Sequence, residues 1–334
     1  MMLTNLANIH DFSLLLEKVR QGRLGELGAR IFSRGHSWDH VSYPLKNWWD
    51  IPAVMDRWNV MISGDPKIDY CTSFLRRHCV DRDAMTGLTL GSGTGNREIE
   101  LARTGMFRRI DAVEISQARI AYSRERADRA GLSRVIRYIE ADAARVDLPA
   151  ESYDCVIAEQ FLHHVSPLSR MLARIRDFLK PAGFFIFNEF VGPSRFQWTD
   201  EQLAAVNAVL ARLPARYRVR WKSGTVKRSV HRPGRLAMML YDPTEAVESS
   251  NIVPLARAIF DVVEMKGYGG TVLQLLFSDI AANFLGDDPE TKRLLALCFA
   301  AEDELLRDAV GDSDFLVGIC RRRPPVGAPS VGRA

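Results

Sequence analysis

From residue 87 onward two rhythms alternate along the chain. Short apolar runs rich in β-branched and aromatic residues recur at Leu88–Leu90, Ile110–Val113, Val135–Ile139, Tyr153–Ala158 and Phe184–Asn188. Runs of this length between turn residues read as strands. Between them apolar residues return at helical spacing: from the glycines after Leu90 to Arg103, over Gln117–Ala130, and over Leu168–Leu179. Strands alternating with helices at this spacing predict parallel βαβ units, with helices on both faces of the sheet.

The flanks follow other patterns. Residues 12–34 carry Leu14, Leu15, Leu16, Val19, Leu24, Leu27 and Ile31 among charges, a helical pattern interrupted around Gly22 and Gly25. His36 to Pro52 is aromatic and polar, with Trp38, His40, Tyr43, Trp48 and Trp49. Two readings of it balance: a segment packed over the main domain, or an acceptor-binding cover, since ligand pockets are commonly lined by aromatics. After Gly192 the rhythm changes. A helix is predicted over Thr199–Leu213, with Thr199 or Asp200 as N-cap. Ile252–Ile259 reads as a helix, Phe260–Met265 as a sixth strand, 272–285 and 288–310 as helical, and Phe315–Cys320 as a last strand. The expected organisation is an N-terminal cover over 1–84, a core over 85–192, and helical and basic insertions with the last strands over 193–323. A polar tail over 324–334 is expected to be disordered.

Composition narrows the classes. The chain has 334 residues, 47% hydrophobic and 26% charged, with a net charge of +4. That is ordinary for a globular protein and too weakly basic for a general nucleic-acid binder. The five cysteines form no C-x-x-C pair and no zinc-type cluster, which predicts reduced thiols in a cytoplasmic protein and no metal site. No apolar run reaches the roughly 18 residues needed to span a membrane, and Met1 to Arg20 lacks the pattern of a signal peptide. Residues 212–235 hold nine Arg or Lys and no Asp or Glu. This run reads as a solvated face or as a site for an anionic acceptor, with Arg228, Arg232 and Arg235 as its candidates.

The candidate chemistry sits at the strand ends. Leu88-Thr89-Leu90-Gly91-Ser92-Gly93-Thr94-Gly95-Asn96 closes a strand and opens a helix. Glycines there let the backbone turn sharply and approach a ligand where a Cβ would collide. The next strand ends in Glu114, followed by Ile115; a carboxylate at that place can accept from ribose hydroxyls. The third strand leads to Asp142-Ala143, with Asp142 placed to meet the exocyclic amine of adenine. The glycine spacing is G-x-G-x-G and departs from the dinucleotide fingerprint G-x-G-x-x-G/A, so it fits S-adenosylmethionine (SAM) better than NAD.

These motifs resemble those of the class I SAM-dependent methyltransferases, specifically the methyltransferase-11-like group, over about residues 85–192. Gly91, Ser92, Gly93 and Gly95 match the first motif, Glu114 the ribose-binding acid and Asp142 the adenine-contacting acid. Gln160-Phe161-Leu162-His163-His164-Val165 is similar to the segment after the fourth strand, and Leu179-Lys180-Pro181-Ala182-Gly183 to the turn before the fifth. The resemblance implies a Rossmann-like, doubly wound, mostly parallel seven-stranded sheet. It implies SAM as cofactor with S-adenosylhomocysteine as product, and contacts from Ile115, Ala143 and Glu159 besides the residues above. One position departs: Thr89 stands where the family commonly has the acid that helps hold the methionine amino group. Some resembling proteins with Glu where Glu98 stands also lack that acid, so how the amino group is held stays open. The segment from Glu189 to Trp198 is similar to one in methyltransferases encoded beside glycosyltransferases, which points to a glycan or other small-molecule acceptor. His163, His164 and Glu189 are the candidates for a base. The alternatives are catalysis by alignment alone, a non-sugar acceptor, or a non-catalytic SAM-binding protein. No nucleic-acid substrate is expected, and a homodimer is left open.

Overall fold

The computed structural model describes residues 47–80, 82–307 and 313–323. The helical pattern over 12–34, the residues Trp38, His40 and Tyr43, and the polar tail lie outside these. Seven strands form one sheet: β1 (Met85–Leu90), β2 (Phe107–Glu114), β3 (Ile136–Glu140), β4 (Tyr153–Glu159), β5 (Leu179–Phe190), β6 (Phe260–Gly267) and β7 (Phe315–Arg322). Their order is β3-β2-β1-β4-β5-β7-β6. The pairs β1–β2, β1–β4, β2–β3 and β4–β5 are parallel, and β7 runs antiparallel to both neighbours. The strand order reverses between β1 and β4. In doubly wound sheets a ligand crevice opens at such a switch point, outside the carboxyl ends of the strands.

The apolar runs are continuous because both faces of the sheet are covered. In β5, Phe184 and Ile186 enter one core and Phe185 and Phe187 the other, following the two-residue period of a strand. Helices α1 (Pro52–Ser63), α2 (Tyr70–His78), α3 (Asn96–Arg103) and α4 (Gln117–Arg129) pack with the first core; α5 (Leu168–Phe178) packs with the second. Helix starts follow their caps. The Asp69 carboxylate accepts from the backbone N–H groups of Cys71 and Thr72 at α2. Thr199 and Gln202 form a capping box on α6 (Asp200–Arg212), as the sequence predicts. Helix α7 spans Arg235–Tyr241 and α8 spans Ile252–Ile259, the latter with the predicted bounds. All five cysteines are buried and unpaired.

The structure departs from expectation in places. Strand β1 begins at Met85, because Met85 pairs with Phe107 ahead of the predicted run. Residues 272–285 split into α9 (Leu273–Phe277) and a 3₁₀ turn at Ala281–Phe284, with Asp279 between them at φ +65°. Helix α10 spans Pro289–Arg307. The two adjacent tryptophans of the aromatic segment also part company. Trp48 is buried, edge-on to Trp58 at 4.3 Å and near Phe315 at 5.0 Å. Trp49 stays 43% exposed.

Candidate functional site

The turn after β1 is built by its glycines. Gly91, Gly93 and Gly95 all have left-handed φ values, +69°, +57° and +77°, a region that favours glycine. A Cβ on Gly91 would lie 2.7 Å from Phe161 Cδ2, and one on Gly95 2.6 Å from Tyr138 Oη. A Cβ on Gly93 would meet nothing within 4 Å. The outer glycines therefore serve packing, and the middle one faces open space. That space is a cavity of about 330 Å³, lined by Thr89, Gly91, Ser92, Gly93, Arg97 and Glu98 from the turn and α3 and by Glu159 and Gln160 from the end of β4. Trp49 and Arg119 also border it. Gln160 holds a left-handed φ of +49° there, strain of a kind often found beside ligands.

Glu114 is buried and grips the turn. Its Oε2 accepts from Gly93 N at 2.8 Å, and its Oε1 from Ile115 N and Ser116 N. A carboxylate offers about four acceptor sites, so roughly one remains on Glu114 for a ribose hydroxyl rather than the two the sequence suggests. Ile115 beside it is exposed and does not line the cavity. Asp142 is half-exposed, and its Oδ1 accepts from Ala144 N. Ala143 is buried in the second core.

Glu159 lines the cavity but is engaged by Arg97, whose Nε and Nη2 each lie 3.1 Å from a carboxylate oxygen. Arg97 also reaches Asp69 and Glu100 and lies over the Tyr70 ring at 4.6 Å. It thereby ties α2, α3 and the end of β4 together. Sequence reasoning passed over Arg97, although it directly follows the glycine turn. Glu98 is 1% exposed. Neither of its oxygens has a hydrogen-bond partner, nor do the buried Thr89 Oγ1 and Ser92 Oγ. Burial pushes the Glu98 carboxyl up to about 7, with the nearby Thr89 hydroxyl offsetting part of the rise.

The predicted bases sit elsewhere. None of His163, His164 and Glu189 lines this cavity. Glu189 is fully buried. Its Oε1 accepts from the backbone N–H groups of Phe161 and Leu162, and its Oε2 lies 2.7 Å from His163 Nδ1. His163 Nε2 faces Glu245 at 3.7 Å, and the His163 ring lies 4.1 Å from that of His164, tilted by 43°. Burial lowers the His163 pKa, but the charges of Glu189 and Glu245 outweigh it and the net shift is upward. Burial and then the His163 charge push His164 down to about 2. His163, His164 and Glu245 bring donor atoms within 4.8 Å of one another, an N/N/O set that transition metals accept. Spacing could not reveal it, because Glu245 comes from a distant loop anchored by Arg195 Nη1 on the Pro243 and Glu245 carbonyls.

Four of the nine cations of the basic run are engaged within the protein. Arg216, Arg220 and Arg232 pair with Glu290, Asp279 and Asp200. Lys227 is buried, and its Nζ donates to the carbonyls of Leu275, Leu276 and Ser278 at the end of α9. Burial lowers its pKa to about 7. Trp198 is also buried, stacked on Phe196 at 5.0 Å, so much of the Glu189–Trp198 segment serves packing.

The seven-stranded, mostly parallel sheet with β7 reversed is the Rossmann-like fold that the sequence resemblance implies. The family model described as "Methyltransferase domain" matches residues 88–187. The chain is 23% identical over 123 residues to the ubiquinone/menaquinone biosynthesis C-methyltransferase UbiE of Marinomonas sp., covering 35% of this chain and 49% of that protein. It is 26% identical over 113 residues to the enzyme of that name from Escherichia coli, covering 34% and 45%. The chain thus spans about half the length of these relatives. Among solved structures, that of the [4+2]-cyclase SpnF aligns over 85% of this chain and 99% of its own, with 17% identity and a TM-score of 0.45. Among the described residues no helix is long and apolar enough to cross a membrane.

Proposed function

We propose that the protein transfers the methyl group of SAM to a small-molecule acceptor and releases S-adenosylhomocysteine. The observation that carries this reading is the cavity at the switch point, where the Gly93 backbone is open to a ligand and three buried polar side chains await partners. Gly91, Gly93 and Gly95 shape the cradle, and Glu114 holds it and keeps an acceptor site for ribose; Asp142 and Ile115, outside the cavity lining, meet adenine in this reading. SAM supplies an electrophilic methyl carbon when bound. The chain's residues contribute alignment and exclusion of water.

The His163–Glu189 pair acts in this reading as a brace of the turn after β4 rather than as the base. Both His163 nitrogens face carboxylates, and its imidazole is favoured in the charged form, which cannot accept a proton. The acceptor is a sugar or related small-molecule hydroxyl, as the likeness of the Glu189–Trp198 segment suggests. The match to the C-methyltransferases UbiE favours a second reading, an electron-rich ring carbon. Methyl-labelled SAM offered with sugars, nucleotide-sugars, phenols and quinols tests both. Label on a sugar oxygen supports the first reading and label on ring carbon the second. SAM binding without turnover on any acceptor would mean a non-catalytic binding protein.

A further inference from the structure

The methionine end of SAM carries an ammonium, and a closed cavity must offer it negative charge or several acceptors. The side chain at the end of β1 cannot supply charge, because position 89 is threonine. The acids around the cavity are few. Glu159 is held by both arms of the Arg97 fork, and Glu114 stands behind the turn, outside the lining, with three of its acceptor sites filled by backbone N–H groups. Glu98 differs from both. It lines the cavity, is 1% exposed, and has no hydrogen-bond partner on either oxygen. A buried carboxylate left this way costs free energy unless something completes it. Arg97, its sequence neighbour, is occupied by Asp69, Glu100 and Glu159. A cation that meets the charged form of Glu98 is therefore one that a ligand brings.

We propose that Glu98, in the first turn of α3, receives the methionine ammonium of SAM in place of a carboxylate at position 89. This rests on the reading of the cavity as the SAM site. The acid stands nine residues further on, in the following helix, and lines the same cavity as Thr89. The Ser92 hydroxyl, buried and without a partner, is then free to donate to the methionine carboxylate. The assignment makes Glu98 a determinant of which ligand is held, namely one with an amino acid tail rather than a bare thioadenosine.

The test is calorimetric titration of the full chain with S-adenosylhomocysteine and with 5′-methylthioadenosine, which lacks the amino acid end. Glu98→Gln keeps the shape and removes the charge. It should weaken S-adenosylhomocysteine at least about tenfold and leave 5′-methylthioadenosine within about twofold. Thr89→Asp in the Glu98→Gln background should recover most of the loss by returning an acid to the cavity. Equal S-adenosylhomocysteine affinity in wild type and Glu98→Gln overturns the assignment while leaving the SAM site standing. An equal loss for both ligands also overturns it, because Glu98 would then support the fold of the cradle. If the wild type binds neither ligand, the SAM reading falls and the assignment with it.

Discussion

The turn after β1 and the turn after β4 flank the same switch point, and a buried glutamate stands behind each. Glu189, reaching over the β4 turn from β5, is saturated: two backbone N–H groups on one oxygen and the His163 imidazole on the other. Glu98, behind the β1 turn, has nothing. A polar group that the protein needs for its own architecture is satisfied within it, because an unmet buried group costs roughly 1–3 kcal/mol or more. One left open beside a cavity points to what the cavity takes in. The difference separates scaffold from site where residue type does not, since both residues are glutamates with the same burial.

Substitutions at the two turns sharpen this contrast. The largest effect belongs to Gly93→Arg, which forces a side chain into the cavity at φ +57°. Calorimetry should find no S-adenosylhomocysteine binding, while the melting temperature changes little. Retained binding would move the site away from the glycine turn. Glu189→Ala comes next. It strands two buried N–H groups and the His163 cation, so it should cost roughly 3–5 kcal/mol in denaturant unfolding. A loss under about 1 kcal/mol would return Glu189 to the candidates for direct chemistry.

Glu98→Gln should act in the opposite direction on stability. The folded protein holds the Glu98 proton up to about 7, against an ordinary value of 4.5. Its contribution is therefore fully present below pH 4.5 and lost as the pH rises through 7. The apo Gln variant should be more stable than wild type at pH 8, by about 3 kcal/mol, and no more stable at pH 4.5. A pH-independent difference would mean that Glu98 is solvated or paired. The smallest effect is expected at the basic run. Arg232→Ala breaks an exposed pair with Asp200 and should change stability by less than about 1 kcal/mol, with acceptor KM unchanged. A salt-sensitive rise in KM would revive an anionic acceptor.

The strands were legible because both faces of the sheet are covered, which leaves uninterrupted apolar runs such as Phe184–Phe187. Caps were legible where the capping side chain is local, as at Thr199 and Gln202. The glycine turn and the acids Glu114 and Asp142 stand at strand ends, where sequence order places them. What the sequence could not convey is pairing over distance. Nothing local says that Glu159 is taken by Arg97, that Glu245 faces His163 from 82 residues away, or that the apparently unbalanced cations of 212–235 find acids on three other segments. The same limit applies to Asp279, whose left-handed backbone breaks a helical pattern that the side chains alone continue.

Trp49 gives the molecule an optical handle. Its indole borders the cavity and is open to water, whereas Trp48, Trp58 and Trp198 are buried in apolar surroundings. An adenosyl ligand entering beside it would change the solvation of this indole, while the buried three and the exposed Trp221, which does not line the cavity, stay as background. The intrinsic emission of the unlabelled protein should therefore shift or quench in proportion to occupancy, and Trp49→Phe should abolish the response without weakening binding to the same degree. Occupancy could then be followed on the millisecond scale of a stopped-flow mixer, with no acceptor in hand.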